Sequence, residues 1–419
     1  MTQSYKRLKY ACYTTNVSMS IVGNLSPLLF MTFHNLYGIS YSLLGLLVLV
    51  NFFTQLIIDL IFSFFSHRFN IATAVRITPV LTVIGLLVYA LTPFLFPDAV
   101  YVGLVLGTVI FACSGGFTEV LISPVIAAIP SENPEHEMSK LHSIYAWGVV
   151  AMIAVSSGFL LLFGNEHWQW LALGFAAVPL ISAILFAGSK IPELSTPRQS
   201  AGALAYLRKP AIWLCFFAMF MGGASECTMA QWSSGYLEQA LGIPKILGDI
   251  FGVALFSVML GLGRSLYAKV GKNVERVLIL GSLGAMLCYL TAALCPIPMI
   301  GLIACALTGF CASMLWPGTL LASSGRFPES GVFIYALMAA GGDMGAALVP
   351  QMVGSVTDAF AKIPALAELA QSWSMLPEQL GMKCGMLLGA LFPLIGVILY
   401  THLYRTRHNN QNGVNSDGN

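Results

Sequence analysis

Long runs of apolar residues recur along the chain, and short polar segments separate them. A helix that crosses a hydrocarbon core of about 30 Å needs about 20 predominantly apolar residues, and runs of this length are repeated from one end of the sequence to the other. A membrane β-barrel would instead show segments of about ten residues with alternating apolar and polar positions. The pattern therefore predicts an all-α membrane protein.

The apolar runs predict twelve transmembrane helices arranged as two six-helix repeats. The first six cover residues 10–33, 40–65, 74–95, 100–129, 141–163 and 168–188, and the second six cover residues 211–237, 247–268, 277–294, 299–323, 331–356 and 383–404. We expect an N-terminal bundle over residues 1–188, a cytoplasmic linker over 189–210 and a C-terminal bundle over 211–405. The polar, aromatic-free residues 406–419 are predicted to be a disordered tail.

Composition and charge agree with this class and orient the chain. Hydrophobic residues make up 57% of the 419 residues and charged residues 9%, whereas about a quarter of the residues of a soluble protein are charged. All but three of the 20 Lys and Arg residues lie on one side of the predicted topology; the exceptions are Lys245, Lys362 and Lys383. The positive-inside rule places that side, and both termini, in the cytoplasm. We expect a multi-pass protein of a bacterial inner (plasma) membrane.

Several function classes are unsupported by the sequence. The net charge of +2 is spread over the loops, which indicates topology rather than a nucleic-acid patch. The nine cysteines form no CxxC pair or other metal-ligand spacing, and the chain carries no HExxH, GxSxG or P-loop motif. We therefore predict no enzymatic activity, no metal and no cofactor.

Two segments at equivalent places in the repeats share a pattern. Residues 116–124 read GFTEVLISP and residues 309–317 read GFCASMLWP. Two fused six-helix repeats are typical of secondary transporters, in which a polar cavity forms between the repeats. A fold with its cavity between two halves of one chain needs no second subunit, so we expect a functional monomer.

The chain resembles the major facilitator superfamily and, within it, the fucose-proton symporter-like family. In that family a Gly-rich segment of helix 4 precedes a Glu and, five residues on, a Pro; here these are Gly115, Gly116, Glu119 and Pro124. Helix 5 of the family closes its motif with an aromatic residue and Gly, and residues 141–148 read LHSIYAWG. Helix 1 carries Asn24-Leu25 where the family has a similar pair. The resemblance implies alternating-access transport, with a sugar or polyol as solute.

The chain departs from this family at two places. Where the fucose permease has an Asp after the Asn-Leu pair, this chain has Ser26-Pro27, so a coupling scheme with that carboxylate does not carry over. The superfamily's loop between helices 2 and 3 is represented by residues 67–70, HRFN, and its repeat partner by residues 269–272, KVGK. We expect these loops to clamp helix ends during gating, through Arg68, Lys269 and Gly271.

Acidic residues inside the predicted spans are the candidate coupling groups. An ionisable side chain near mid-membrane costs at least about 2.5 kcal/mol and persists only where it faces protein or water. We predict that Glu119, Glu226 and Asp343 couple transport to protons. The alternatives are an interhelical hydrogen bond for Glu119, substrate contact or an interhelical hydrogen bond for Glu226, and close interhelical packing for Asp343. Asp59 is expected to serve gating as a partner of Arg264 or Arg76.

The sequence shows deep acids but no deep base, which favours a neutral or cationic solute over an anionic one. Polar side chains could bond its hydroxyls and tryptophans could cover a sugar ring, although Asn and Gln in membranes often only link helices. The predicted substrate-binding residues are Asn24, Asn51, Gln55, His142, Tyr145, Trp147, Gln231, Trp232 and Trp316.

The leading functional hypothesis is proton-coupled uptake of a small neutral solute through the lipid bilayer. The alternatives are a proton-antiport exporter of amphipathic compounds, which shares the fold, and a membrane receptor that does not transport. The buried acids disfavour the receptor, because a static scaffold has little reason to retain them at their cost.

Overall fold

A computed structural model describes residues 3–65, 68–130, 134–192, 206–271, 273–327 and 332–416. Within these ranges the chain forms helices and short connections, with no strand. The predicted all-α class is confirmed. The predicted linker, residues 189–210, falls mostly outside the described residues.

The first half of the chain contains eight helical segments. They are α1 Gln3–Leu28, α2 Phe30–Tyr37, α3 Tyr41–Phe65, α4 Ile71–Leu95, α5 Val100–Ala127, α6 Pro134–Phe163, α7 Trp168–Phe175 and α8 Ala177–Ala187. Helices α1 and α2 are bent by 44° at the residue between them. Pro27 lies just before this bend; it lacks a backbone N–H and so leaves the carbonyl of Gly23, four residues earlier, without its helical donor.

The second half starts with α9 Pro210–Gln239. A helical turn Lys245–Leu247 and a π-helical segment Gly248–Ala254 then lead into α10 Leu255–Val270. The remaining helices are α11 Val274–Leu294, α12 Pro298–Ala312, α13 Leu315–Arg326, α14 Val332–Lys362, α15 Pro364–Ser372 and α16 Pro377–Ser416. The last helix extends into the segment for which the sequence predicts a disordered tail.

Ten helical segments of the described ranges are long and apolar enough to cross a membrane, and the bent pair α1–α2 would be an eleventh. The chain is thus a multi-pass membrane protein. The predicted span 331–356 falls in α14, which carries Asp343, Gln351 and Asp358. A count of twelve spans and the cytoplasmic location of the termini remain predictions.

Helices α3 and α14 bring the two halves together along one seam. The backbone N–H groups of Tyr41 and Ser42 donate to Asp358 over 3.2 and 3.0 Å. Further along, Gly45 packs against Gln351 with no room for a side chain: a Cβ there would lie 3.1 Å from the Cα of Gln351. Asp59 and Asp343 meet at the other end of the seam.

Glycines also allow close packing inside the second half. Gly223 of α9 faces Gly342 of α14, and a Cβ on Gly223 would lie 2.8 Å from the Gly342 Cα and closer still to its carbonyl oxygen. Gly261 of α10, in contrast, has open space at the same position. The close contact of α9 with α14 is therefore possible only because glycine at position 223 has no side chain.

We predict that Gly223→Ala destabilises the protein by about 1–3 kcal/mol, because the added methyl group must push α9 and α14 apart. The matched change Gly261→Ala should be neutral or stabilise by up to about 1 kcal/mol, since Ala favours a helix and nothing is displaced. Thermal unfolding in detergent measures both; equal midpoints for the two variants would contradict this packing.

Candidate functional site

Three carboxylates meet where the two halves contact each other. Asp59 of α3 and Glu119 of α5 come from the first half, and Asp343 of α14 comes from the second. One oxygen atom of each lies within 4.8 Å of the others. Asp59 and Asp343 are buried, with 0% and 1% of their surface exposed. We call these three residues the carboxylate cluster.

The carboxylate cluster cannot be fully ionised. Like charges at this separation repel strongly in a buried site, so neighbouring carboxylates share protons. Asp59 and Asp343 are both buried with oxygens within 4.8 Å of each other, so two negative charges are unfavourable there and one of the two is stable only with a proton. The spacing of the three oxygens would also allow them to ligate one cation.

A second polar group lies between α9 and α10. Arg264 Nη2 donates to Glu226 Oε1 over 3.1 Å, and the side chains are 27% and 14% exposed respectively. Arg264 Nε also donates to the carbonyl of Ser313 over 3.0 Å. Pro317, four residues after Ser313, cannot supply the helical N–H for that carbonyl, so the arginine takes its place.

This arrangement corrects two expectations from the sequence. Arg264 is a base deep in the helical bundle, so the view that the acids lie without a deep base is wrong. Arg264 pairs with Glu226 rather than with Asp59, and Arg76 donates to the carbonyl of Ser189 over 3.3 Å. Asp59 belongs instead to the carboxylate cluster, because the contact of α3 with α14 turns it toward Asp343.

Asn24 and Tyr145 of the first half face the Glu226–Arg264 pair. The Tyr145 hydroxyl lies beside Gly23, the neighbour of Asn24, and Tyr145 is close enough to both charged partners to interact with them electrostatically. Cys227 of α9 lies within reach of Glu226, Asp343 and Glu119 alike. The carboxylate cluster and the Glu226–Arg264 pair are therefore parts of one polar layer between the halves.

A small cavity of about 10 Å³ lies between the halves, which is room for about one water molecule. Its polar lining comes from Asn24, Gln231 and Ser234; the rest is Pro27, Leu28, Ile153, Ala230 and Val253. Gln231 Nε2 donates to the carbonyl of Gly23 over 3.4 Å, the carbonyl that Pro27 leaves without its helical donor. The Gln231 Oε1 atom is buried and has no hydrogen-bond partner among the described residues, so this acceptor is unused in the present conformation.

The structure brings some of the predicted substrate-binding residues to this cavity and not others. Asn24 and Gln231 line it, and Tyr145 contacts Asn24. Asn51 and Gln55 are buried on α3, two turns and one turn from Asp59. The side chain of His142 lies outside the described side chains.

The three predicted tryptophans lie elsewhere. Trp232 is buried, packs on Phe30 with ring centroids 5.1 Å apart, and donates from Nε1 to the carbonyl of Pro350 over 2.9 Å. Trp316 packs against Gly342, and Trp147 is 68% exposed. Within this conformation the cavity is lined by aliphatic and amide side chains rather than by indole rings.

Of the other predicted gating residues, Arg68 lies 5.7 Å over the Phe65 ring, Lys269 is exposed in the last turn of α10 and Gly271 ends that helix. Residues that the sequence reasoning passed over join the halves instead: Lys245, Asp249 and Asp358. Lys245 and Asp249 are four residues apart, a spacing that favours ion pairs on a helix, and this signal could have identified them.

The fold and the polar layer between its halves define a membrane transporter, and the comparisons agree. The family model described as Major Facilitator Superfamily matches residues 11–350. The chain belongs to the Major Facilitator Superfamily and is a transporter rather than an enzyme. No curated protein matches the sequence significantly.

Solved structures share the fold at low sequence identity. The D-xylose-proton symporter matches with a TM-score of 0.73 and 15% identity over 93% of this chain and 97% of that chain. A bacterial homologue of the human lysosomal transporter Spinster, inward-facing and unoccupied, gives 0.70 and 14% over 97% and 98%. The E. coli fucose:proton symporter gives 0.64 and 14% over 96% and 99%. At these identities the likeness shows the fold alone.

We predict that Glu226 and Arg264 are energetically coupled. Glu226→Gln and Arg264→Gln should each lower the stability, because each leaves the other charge without its partner in a poorly solvated place. The double variant should lose less than the sum, with a coupling of about 1–3 kcal/mol. Thermal unfolding of the four proteins measures this cycle. Arg276→Gln, which affects an exposed contact with Tyr404, serves as the control, and additive losses at 226 and 264 would contradict the coupling.

Proposed function

We propose that the protein is a proton-coupled secondary transporter that takes up a small neutral solute by alternating access. The observation that carries this proposal is the carboxylate cluster, because its members come from both halves of the chain. Any movement that separates α14 from α3 and α5 separates Asp343 from Asp59 and Glu119. The number of protons that the three groups hold must then depend on the conformation.

The energetics of such a cluster support coupling. With the halves together, the buried oxygens are stable only when protons neutralise part of their charge. When the halves separate and water enters, each carboxylate is hydrated and the repulsion between them falls, so protons can leave. A conformational equilibrium responds only to a ligand that binds its two states differently, and the carboxylate cluster gives the proton this differential binding.

A neutral solute fits the cavity better than an ion. Arg264 is already neutralised by Glu226, and Lys245 by Asp249, and the carboxylate cluster would repel an anion. Asn24, Gln231 and Ser234 offer amide and hydroxyl groups, and a hydroxyl-rich solute can bond to all three. The fold is also that of a D-xylose-proton symporter and a fucose:proton symporter, which makes sugars and polyols the first solutes to test.

The topology belongs to the same proposal. Six-helix halves over residues 1–188 and 211–405, joined by a cytoplasmic linker, would place both termini in the cytoplasm of a bacterial cell. Because the cavity lies between two halves of one chain, a monomer would suffice for transport.

The experiment measures proton movement into proteoliposomes that contain a pH-sensitive dye while monosaccharides, polyols and cationic drugs are added in turn. Inward proton flux that depends on a neutral solute supports symport. Proton flux opposite to a drug would favour the exporter, and solute uptake that follows a Na⁺ gradient instead would assign the carboxylate cluster to a cation. Solute uptake without either gradient would contradict coupling.

We predict that Glu119→Gln and Asp343→Asn each abolish uphill accumulation of the solute and retain exchange of internal for external solute. Each variant keeps the hydrogen-bonding shape of the carboxyl group but can no longer release a proton. The control is Glu166→Gln, at an acid whose side chain is 65% exposed. Full uphill accumulation by both variants would refute the role of the cluster.

We also predict that Gln231→Leu weakens solute binding about tenfold, since a hydrogen bond in a buried site contributes about 1–1.5 kcal/mol and Leu keeps most of the volume. The change should appear as a higher KM for solute uptake with a similar maximal rate. Gln371→Leu, at an exposed position of α15, is the control. An unchanged KM would place the solute elsewhere.

A further inference from the structure

A set of polar groups lies beside the cavity and includes two of its lining residues, Leu28 and Ser234. Lys245 Nζ donates to the carbonyl oxygen of Leu28 over 2.8 Å and to Asp249 Oδ2 over 3.0 Å. Asp249 also accepts hydrogen bonds from Ser157, over 3.4 Å, and from Ser234. We call Lys245, Asp249, Ser157, Ser234 and the Leu28 carbonyl the Lys245 cluster.

The Lys245 cluster joins the two halves of the chain. Leu28 and Ser157 belong to α1 and α6 of the first half, whereas Lys245, Asp249 and Ser234 belong to the second. If Lys245 and Asp249 only stabilised the start of their own helix, an i to i+4 ion pair would be enough. The additional bonds to Leu28 and Ser157 reach across the interface, and a local role does not require them.

The backbone of α1 makes this contact possible. The helix ends at Leu28, where the chain bends by 44° into α2. A carbonyl at such a break can accept a hydrogen bond from a charged side chain, as interrupted helices in transporters do. In the first half, Lys245 therefore binds a backbone carbonyl at the bend of α1 rather than a side chain.

Burial makes this contact costly to break. The Asp249 side chain is 2% exposed and that of Lys245 is 17% exposed. A buried charge that loses its hydrogen bonds without gaining water is strongly destabilised. Separation of the halves here thus requires that water reaches both groups, and the Lys245 cluster resists small openings.

The position of the Lys245 cluster allows it to control access to the cavity. Leu28 and Ser234 are members of the cluster and line the cavity as well. At the same end of the molecule, α14 also contacts α3. There Asp358 accepts hydrogen bonds from the backbone N–H groups at the start of α3, where a negative charge is favoured. The Lys245 cluster and the contact of Asp358 with α3 therefore both join the halves at the end of the molecule where α2 leads into α3.

We infer that the Lys245 cluster is the gate of the cavity at this end, and that the hydrogen bond from Lys245 to the Leu28 carbonyl must break before the cavity opens there. Lys245 acts as a positioning residue: it holds the bend of α1 against the second half and does not bind the solute. This gate depends on the contact between the halves and on the cavity, and not on the identity of the coupling ion or of the solute.

The test uses the substitution Ala230→Cys as a reporter of access to the cavity. Ala230 lines the cavity and takes no part in the Lys245 cluster. A membrane-impermeant maleimide is added in separate experiments to each side of sealed vesicles, and labelling of this cysteine is measured by mass spectrometry of its peptide, which separates it from the nine native cysteines. Lys245→Met removes the charge and keeps the length of the side chain. Lys245→Arg keeps the charge.

We expect Lys245→Met to increase labelling from the side of the α2–α3 connection at least about tenfold, because loss of one partner of a buried charged contact shifts the open–closed equilibrium strongly. Lys245→Arg should stay near the parent rate. The matched control is Lys362→Met: Lys362 also pairs with an aspartate four residues away, over 3.4 Å, but its side chain is 68% exposed, and such pairs contribute little.

Two results would overturn the inference. One is an unchanged labelling rate in Lys245→Met, and the other is an equal increase from both sides, which would indicate general loosening. If Lys245→Met fails to insert, Asp249→Asn replaces it: this change removes the charge that holds Lys245 and should produce the same one-sided increase, whose absence would again refute the gate.

Discussion

Polar groups inside this protein must find partners on other helices, because a hydrocarbon environment offers no water to bond. Prolines add to the number of polar groups that need such partners, because each removes a helical N–H donor. Pro27 and Pro317 deprive the carbonyls of Gly23 and Ser313 of their helical donors, and side chains from elsewhere, Gln231 and Arg264, donate to these oxygens. The carbonyls freed by these prolines thus determine where Gln231 and Arg264 are held. These two side chains in turn join one helix to another.

The same constraint explains why the polar groups concentrate between the halves. A group buried there can exchange its protein partner for water when the halves move apart, whereas a group that faces lipid cannot. The Lys245 cluster at one end and the carboxylate cluster toward the other both depend on contacts across this interface. One is held together by opposite charges and the other by shared protons, so the two respond differently when water enters.

Much of the architecture could be predicted from residue patterns, and the arrangement of side chains could not. The all-α membrane class followed from apolar run lengths, and the segment at residues 116–124 pointed to Glu119, which lies in the carboxylate cluster. The sequence predicts Arg264 or Arg76 as the partner of Asp59. In the structure the arginine turns to Glu226, and α14 supplies Asp343 to Asp59. Depth along a helix can be read from a sequence, but the rotation of the helix against a distant neighbour cannot.

By itself the sequence determined the class of the protein, because hydrophobicity adds up residue by residue along each helix and sets what can cross a membrane. Pro27 also removes the helical donor from the carbonyl four residues before it in the same chain, just ahead of the bend between α1 and α2. Only the tertiary structure decided which acids lie together, which acid Arg264 pairs with and which groups link the two halves. These properties depend on atoms a few ångströms apart that belong to residues far apart in the chain, and the packing of the two halves alone sets those distances.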